Sequence, residues 1–436
     1  MGSETAADEV MGCDVLVIGG GPAGSTIAAL LAARGKSVTL VDKDKHPRFH
    51  IGESLLPFNM PLFDALGIRD QIERIGMPKF GIEFVSPHHA KPSLLEFADG
   101  WHKDKDSAFQ VRRSEFDHVL LRNAAAKGAT VIEECRVTEV AFPDAGGVVA
   151  VGADRDGGTR RWQAKFLVDA TGRDTFLAAR LKVKQRNRRH ESAAIFGHFT
   201  NAERLPGRAE GNISIFWFDK GWFWFIPLAD ATTSIGAVCR PDVLKSNRDG
   251  DITSLFLKLI ETCPALAHRL RNATLTGPAT GTGNYSYDSS TMTGERYIMV
   301  GDASGFIDPV FSTGVYLAMR SAFLGADTVA ACLDHPERAP AELAQLERAI
   351  KGGIGRFSWF IYRITSPAIR NLFMAPRNFF RMEEAVLSLL AGDIAEDSPI
   401  RFRLFLFKTL FYAKTLLAKA GRPFRPAPSA SLEQRS

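Results

Sequence analysis

The chain has 436 residues, which is long for one hydrophobic core and indicates two intertwined domains or a domain with an appendage. Its composition, 45% hydrophobic and 24% charged with a net charge of +5, is that of an ordinary globular protein and gives no argument for nucleic-acid binding. Five scattered cysteines without a CxxC pair argue against a disulfide framework and a zinc site. The polar, acidic start argues against a secretory signal, and the absence of a long apolar run argues against a membrane span, so a cytoplasmic protein is expected. The sequence also predicts no bound metal.

The start of the chain has the pattern of one strand-helix-strand unit. The apolar run Cys13–Ile18 predicts a buried parallel strand, the small and aliphatic residues of Ala23–Arg34 predict a helix, and Ser37–Val41 predicts a second strand. Short alternating runs between Val149 and Arg240 then predict an antiparallel sheet. After it, Arg296–Val300 returns to the buried-strand pattern.

This order predicts an α/β (α+β overall) protein, in which a Rossmann-like nucleotide-binding domain is interleaved with an antiparallel sheet domain and followed by a helical C-terminal region. The predicted parts are residues 10–180 (first part of the nucleotide-binding domain, with a covering segment at 50–110), 181–290 (antiparallel sheet domain), 291–335 (second part of the nucleotide-binding domain), 336–425 (helical region) and 426–436 (disordered tail).

A dinucleotide fingerprint, G-x-G-x-x-G, follows the first predicted strand directly. Its first glycine allows a tight turn, its second lets backbone amides approach a pyrophosphate, and its third lets the helix pack on the strand. A carboxylate at the end of the second strand can accept the ribose hydroxyls. Without a ligand, the same glycines could form a plain turn. The predicted nucleotide contacts are Gly19, Gly21, Pro22, Ala23, Gly24 and Asp42.

Three further motifs resemble flavoproteins of the para-hydroxybenzoate hydroxylase type, which favours FAD over NAD. Gly301–Gly305 looks like the second flavin motif of these proteins, which implies that Asp302 contacts the ribityl chain. Val111–Asp117 looks like their V-x-R-x-x-F-D element and places Arg113 near the flavin. Asp169–Gly172 looks like their D-A-T-G turn.

The segment Trp222–Pro227 reads W-x-W-x-I-P and resembles the signature of the flavin-dependent halogenases. This resemblance implies that Trp222, Trp224, Ile226 and Pro227 wall the flavin face and keep organic substrates from the activated oxygen. The alternative is that two tryptophans on one face of a strand simply pack.

Lys79 lies where halogenases carry their active-site lysine, although a lysine is more often a solvated surface charge. The resemblance implies that it directs hypohalous acid, either by hydrogen bonding or as a haloamine. Gly52–Ser54 is also shared with this family, in the segment that covers the flavin, and Glu53 receives no catalytic role.

The resemblance also implies that Ser312, Thr313 and Gly314 hold a halide ion through backbone N–H groups. The alternative is an ordinary helix N-cap at Ser312 or Thr313. Tryptophan halogenases carry a glutamate immediately before this segment, and here that residue is Phe311. The departure favours the branch that acts on phenols and pyrroles, often tethered to a carrier protein, and disfavours free tryptophan.

These motifs together predict an FAD-dependent halogenase that uses FADH2, oxygen and chloride or bromide. A separate flavin reductase is expected to supply the FADH2, because a second G-x-G-x-x-G for a nicotinamide is lacking. The alternatives are an FAD-dependent monooxygenase, a geranylgeranyl-reductase-like oxidoreductase, and a non-enzymatic binding protein that kept a degenerate flavin fold.

The C-terminal region is strongly basic. Between Gly352 and Arg425 the chain has twelve Lys or Arg against five Asp or Glu, with aromatic residues interleaved, as in Phe402–Lys408. An amphipathic helical layer with a solvated basic face is the plain interpretation. Two alternatives are a docking surface for an acidic acyl or peptidyl carrier protein and a peripheral contact with an anionic membrane.

Overall fold

The computed structural model describes residues 10–187, 190–245, 251–283, 286–376, 378–395 and 397–419. The predicted disordered tail, together with Arg377, Glu396, Arg422 and Arg425 of the basic region, lies outside these ranges.

Strands and α-helices occur throughout the described part of the chain. The strands are β1 (Val10–Ile18), β2 (Val38–Val41), β3 (Met77–Lys79), β4 (Gly81–Val85), β5 (Ser93–Glu96), β6 (Ala108–Gln110), β7 (Thr130–Ile132), β8 (Cys135–Ala141), β9 (Val148–Asp154), β10 (Thr159–Asp169), β11 (Lys184–Arg186), β12 (Ala193–Thr200), β13 (Ile213–Phe218), β14 (Gly221–Pro227), β15 (Thr233–Cys239), β16 (Thr274–Leu275), β17 (Thr280–Thr282), β18 (Tyr287–Ser289), β19 (Thr293–Gly294), β20 (Tyr297–Met299) and β21 (Gly305–Phe306). The α-helices are α1 (Pro22–Ala32), α2 (Met60–Leu66), α3 (Arg69–Ile75), α4 (Arg113–Ala126), α5 (Phe176–Arg180), α6 (Pro241–Lys245), α7 (Ile252–Glu261), α8 (Pro264–Arg269), α9 (Thr313–Asp334), α10 (Ala339–Ile361), α11 (Pro367–Met374), α12 (Met382–Ala391) and α13 (Arg401–Lys419).

The first sheet forms the nucleotide-binding part and confirms the predicted α/β class. Its parallel strands lie in the order β20-β10-β1-β2-β7, so β20, which comes late in the chain, returns to pair with β10. The carboxyl ends of β1, β2, β10 and β20 therefore meet at one edge of the sheet, which is where ligands bind in folds of this type.

The second sheet has the order β16-β12-β15-β14-β13-β4-β5. It differs from the prediction in two respects. Two of its strands, β4 and β5, come from the segment 50–110 that was predicted to cover the flavin. In addition, β13 pairs parallel to β4, so the sheet is mixed. Sequence alternation could not reveal this, because it shows which side chains are buried and not which strand lies alongside.

The strand β14 separates two hydrophobic cores. Trp222, Trp224 and Ile226 belong to the large core that also contains the first sheet, whereas Phe223 and Phe225 belong to a smaller core under α7 and α8. Side chains alternate across a strand, so one stretch of sequence serves both cores. In the part of the chain that the structure describes, no helix has the length and apolar content to cross a bilayer.

Candidate functional site

A large cavity lies between the two sheets and has a volume of about 700 Å³. The carboxyl ends of the first sheet form one wall and the second sheet forms another. The sequence-predicted residues that line it are Gly19, Gly21, Pro22, Ala23, Asp42, Arg113, Trp222, Trp224, Ile226, Asp302, Ser312 and Gly314. The structure therefore brings most of the predicted site residues around one space.

The glycine fingerprint fits a dinucleotide for steric reasons. Gly19 has a φ of +103°, which favours glycine, and a Cβ on Gly24 would lie 1.8 Å from the carbonyl oxygen of Gly19. At Gly21, by contrast, the nearest atom to a Cβ would be an Arg48 nitrogen 3.7 Å away, so the backbone faces the cavity directly. The helix α1 begins at Pro22 without a side-chain cap, which leaves its first N–H groups for a phosphate.

Asp42 and Arg113 are both held in place by buried hydrogen bonds. The Asp42 carboxylate accepts hydrogen bonds from the N–H groups of Gly20 and Asp44. Although burial works against the charged form, these bonds and the nearby Arg48 and His46 hold the pKa of Asp42 below its usual value. Arg113 forms a two-pronged ion pair with a buried aspartate, at 2.8 and 3.0 Å. Both residues thus present fixed polar groups to the cavity.

Asp302 follows β20 and lies at the junction of the large cavity with a second one. Burial raises the pKa of Asp302 to about 6, although the positive charges of Arg113 and Arg173 oppose the shift. A buried carboxylate is stabilised by a ligand hydroxyl that donates a hydrogen bond to it. A ribityl hydroxyl could do this. Asp302 therefore fits its predicted role toward the flavin.

The two tryptophans of β14 face the large cavity together. Their ring centroids are 6.2 Å apart, and both side chains are buried. The indole N–H of Trp224 donates to the hydroxyl of Ser234 at 3.2 Å, which fixes the orientation of this ring. Phe196, on the neighbouring part of the sheet, lies 6.0 Å from Trp224. Pro227 ends the strand and is buried, but it does not line the cavity.

Lys79 is fully buried rather than solvated. Its Nζ donates to the hydroxyl of Ser54 at 2.9 Å and to the carbonyl of Leu55 at 3.1 Å. Burial lowers the pKa of Lys79 to about 7, and within the described ranges it forms no ion pair. Lys79 does not line the large cavity itself, whereas Ser54 does. The lysine therefore reaches the cavity through its serine partner.

The predicted halide segment lies where the two cavities meet. Ser312 and Gly314 line the large cavity, and Thr313 and Gly314 line the second one, which has a volume of about 400 Å³. Ser312 is the N-cap of α9, but its side chain makes no capping bond, contrary to the simple N-cap alternative. Its φ of +57° turns the chain sharply into the helix. Phe311 is buried against Phe373 and points into the core.

Two residues that line the cavity were not predicted as site residues from the sequence. Ser54 belongs to the G-E-S segment, and the partnership with Lys79 shows why a hydroxyl residue stands there. His50 also lines the cavity, and burial together with Arg113 lowers its pKa to about 4, so it is neutral near pH 7. The shared G-E-S segment was a signal for Ser54, whereas a single histidine in a loop gives none.

Replacing Gly21 by valine is expected to abolish FAD binding while the fold persists, because the new side chain would enter the cavity without meeting protein atoms. We expect the FAD affinity to fall about 100-fold or more in a flavin titration. Gly24→Val should instead destabilise the protein, and Gly12→Val, where a Cβ meets no atom within 4 Å, is the control. Unchanged FAD affinity in Gly21→Val would contradict the assigned pyrophosphate site.

Replacing Lys79 by methionine is expected to change how stability depends on pH. The pKa of Lys79 is about 7 in the folded protein and 10.5 in an ordinary lysine, so the unfolded chain binds more protons between these values. The free energy of unfolding of the wild type should therefore rise from pH 7 to pH 10.5, relative to Lys79→Met, by at most about 1.4 kcal/mol per pH unit. Denaturant unfolding measures this, and parallel curves would show that Lys79 is solvated.

Comparison with known proteins identifies the family of this chain. The tryptophan halogenase family model matches residues 14–105 and 88–366. A relative named tryptophan 2-halogenase, from Chondromyces crocatus, is 36% identical over 72% of this chain, and the match spans 60% of that longer protein. A 1H-pyrrole-2-carbonyl-[peptidyl-carrier protein] chlorinase from Pseudomonas fluorescens is 28% identical over 87% of this chain and 89% of the relative.

Solved structures show the same fold. The myxobacterial chondrochloren halogenase CndH superposes with a TM-score of 0.78 and is 33% identical, over 89% of this chain and 92% of that one. A flavoprotein/dehydrogenase from Cytophaga hutchinsonii superposes with a TM-score of 0.84 at 27% identity, over 93% and 99%. Because the family model covers far more than half of the sequence, this chain belongs to the flavin-dependent halogenase family and is an FAD-dependent enzyme.

Proposed function

We propose that this enzyme halogenates an electron-rich aromatic compound with FADH2, oxygen and chloride or bromide. The observation that carries the proposal is the arrangement around the large cavity. It combines a dinucleotide-binding edge, a pair of indoles and the S-T-G segment, with a buried lysine behind Ser54. The bound flavin would supply the oxidising chemistry, and a separate reductase would supply the reduced flavin.

The chain's own residues have three tasks in this reaction. Backbone N–H groups at Thr313 and Gly314 can hold the halide, since α9 begins there without a side-chain cap or an acidic residue in its first turn. Trp222 and Trp224 separate the flavin from the organic substrate, so that the halide meets the oxidant first. The resulting hypohalous acid reaches Lys79, which holds it by hydrogen bonding toward an aromatic ring.

Burial suits Lys79 to this task. In water an ammonium group is strongly hydrated, whereas the Lys79 Nζ has only two neutral oxygens as hydrogen-bond acceptors within the described chain. An N–H group in such a dry place donates more strongly to a small oxygen-containing molecule. The pKa of about 7 keeps both the charged and the neutral amine available near neutral pH.

The substrate class we propose is a phenol or pyrrole, free or tethered to a carrier protein. The names of the relatives include both a tryptophan halogenase and a chlorinase of a carrier-bound pyrrole, so they do not decide between these classes. Phe311 supports the choice, because a buried phenylalanine packed on Phe373 offers no base for deprotonating an unreactive ring. Phenols and pyrroles need less help of this kind.

A monooxygenase or a geranylgeranyl-reductase-like oxidoreductase is the second candidate, since such proteins share the flavin motifs and a flavoprotein/dehydrogenase has the same fold. Incubation with reductase, FAD, oxygen, bromide and a phenolic or pyrrolic substrate separates the two. We expect a product with the bromine isotope pattern. A hydroxylated product without halogen would exclude halogenation.

Lys79→Ala is expected to oxidise FADH2 normally and to lose halogen transfer by about 100-fold or more, because the oxidant forms away from the lysine and is no longer held. Product mass spectrometry and oxygen consumption, measured together, check this. Lys91→Ala, at an exposed lysine, is the matched control. Halogenation by Lys79→Ala near the wild-type rate would refute the assigned role.

We also propose that α13 docks an acyl or peptidyl carrier protein. This helix has five Lys or Arg and no acidic residue, and Phe402, Phe405 and Leu416 on it are at least 60% exposed. An exposed apolar stripe among positive charges suits an acidic protein partner, because charge speeds the encounter and apolar contact holds the complex. Peripheral contact with an anionic membrane is the competing use of the same surface.

The double variant Phe402→Ser, Phe405→Ser is expected to raise the KM for a carrier-bound substrate about tenfold and to leave the KM for a free phenol unchanged. Leu257→Ser, at an exposed leucine of α7, is the control. Equal KM changes for both substrates would contradict carrier docking. Flotation of the wild type with anionic vesicles, lost in the double variant, would instead assign the surface to a membrane.

A further inference from the structure

The side chains of Lys79, Gln110 and Ser54 lie on one face of three paired backbone segments. The strands β3 and β6 are antiparallel, with Met77 opposite Gln110 and Lys79 opposite Ala108. On the other side of β6, Ser54 forms an antiparallel bridge with Gln110. Opposed residues point to the same face, and so do residues two apart along a strand. Gln110 is therefore a neighbour of both Lys79 and Ser54.

The side-chain amide of Gln110 is fully buried, and only its nitrogen has a hydrogen-bond partner among the described residues. Its Nε2 donates to the carbonyl oxygen of Gly211 at 3.0 Å, which fixes the orientation of the amide, because the reverse orientation would oppose two oxygens. Its Oε1 is buried and accepts no hydrogen bond from any residue that the structure describes. A buried acceptor without a donor destabilises a fold, so a ligand that donates to Gln110 Oε1 would gain binding energy there.

Lys79 provides the complementary group. A protonated lysine has three N–H bonds, and two of them are directed at Ser54 and Leu55. Beyond these two oxygens, the structure shows the ring of Phe97, whose centre lies 5.3 Å from Nζ. The same face of these paired strands thus carries an N–H group and an unsatisfied oxygen acceptor, which one small molecule can bridge. Such a molecule must accept one hydrogen bond and donate another.

We propose that Gln110 and Lys79 together hold hypohalous acid, with the Lys79 N–H donating to its oxygen and its O–H donating to Gln110 Oε1. This inference rests on the proposed halogenation. Two anchors at the oxygen end leave the halogen as the free end of the molecule. The ring carbon then forms a bond to the halogen as the oxygen–halogen bond breaks. The ring loses its proton, and the oxygen leaves as water, so halide-derived halogen replaces hydrogen.

The first test measures the predicted contact without turnover. Gln110→Glu places a carboxyl group beside Lys79 and should raise the pKa of the lysine by about one unit or more, because a negative charge favours the ammonium form. Carbon NMR of protein labelled at the lysine ε-carbons follows this titration, with Lys79→Met to assign the signal. Gln163→Glu, at an exposed position of β10, should leave it unchanged. A pKa that stays near 7 in Gln110→Glu would overturn the proposal.

The second test follows the oxidant. In Gln110→Leu, hypohalous acid should still form, but the fraction transferred to the aromatic substrate should fall about tenfold, the effect of one hydrogen bond. The fraction captured by a diffusible hypohalite trap should rise correspondingly. Gln163→Leu should transfer as the wild type does. An unchanged partition in Gln110→Leu would refute the holding role, whereas a wild type that forms no trapped or transferred halogen would refute halogenation itself.

Discussion

The burial of Lys79 without an acidic partner among the described residues is the constraint on which this site depends. A charged amine in such a place is expensive, and the structure lowers this cost by allowing the amine to lose its proton near pH 7 and by supplying neutral oxygens from Ser54 and Leu55. A structural lysine would gain more from an ion pair or from solvent. Under the proposed function, the amine would meet a small oxidant in this dry space, which gives a reason for its burial.

The second sheet holds the two tryptophans that form one wall of the large cavity. The strand β14 places indoles toward the large cavity and phenylalanines toward the smaller core, so the wall cannot rotate without exposing one core or the other. The hydrogen bond from Trp224 to Ser234 adds a directional restraint. The wall is therefore part of the structural core, and its position relative to the nucleotide-binding edge follows from the packing of two sheets.

Much of the fold could be predicted from local patterns. The first β1-α1-β2 unit and the return of a parallel strand at β20 lie within a few residues of their predicted bounds, because each combines an apolar run with glycine signals. The parallel pairing of β13 with β4 could not be predicted, since strand neighbours depend on contacts between distant segments. The residues that line the cavity were predicted individually, each from the motif that contains it.

The site residues also differ in whether the sequence could predict their place in the structure. Gly21 and Asp42 follow from a fingerprint whose geometry is local, so their exposure to the cavity was predictable. The complete burial of Lys79 was not, because a single lysine usually lies at the surface. The role of Gln110 was invisible for a further reason. It depends on the register of β3 against β6 and on the bridge to Ser54, and register across separate segments is not encoded in either segment alone.

The proposed mechanism requires a wall of indoles between the flavin and the lysine. A crystal structure of this protein with bound FAD measures it directly. We expect the rings of Trp222 and Trp224 to contact the isoalloxazine, so that only a small molecule can pass from there to Lys79. Indoles turned away from the flavin, with an open passage wide enough for an aromatic substrate, would contradict it.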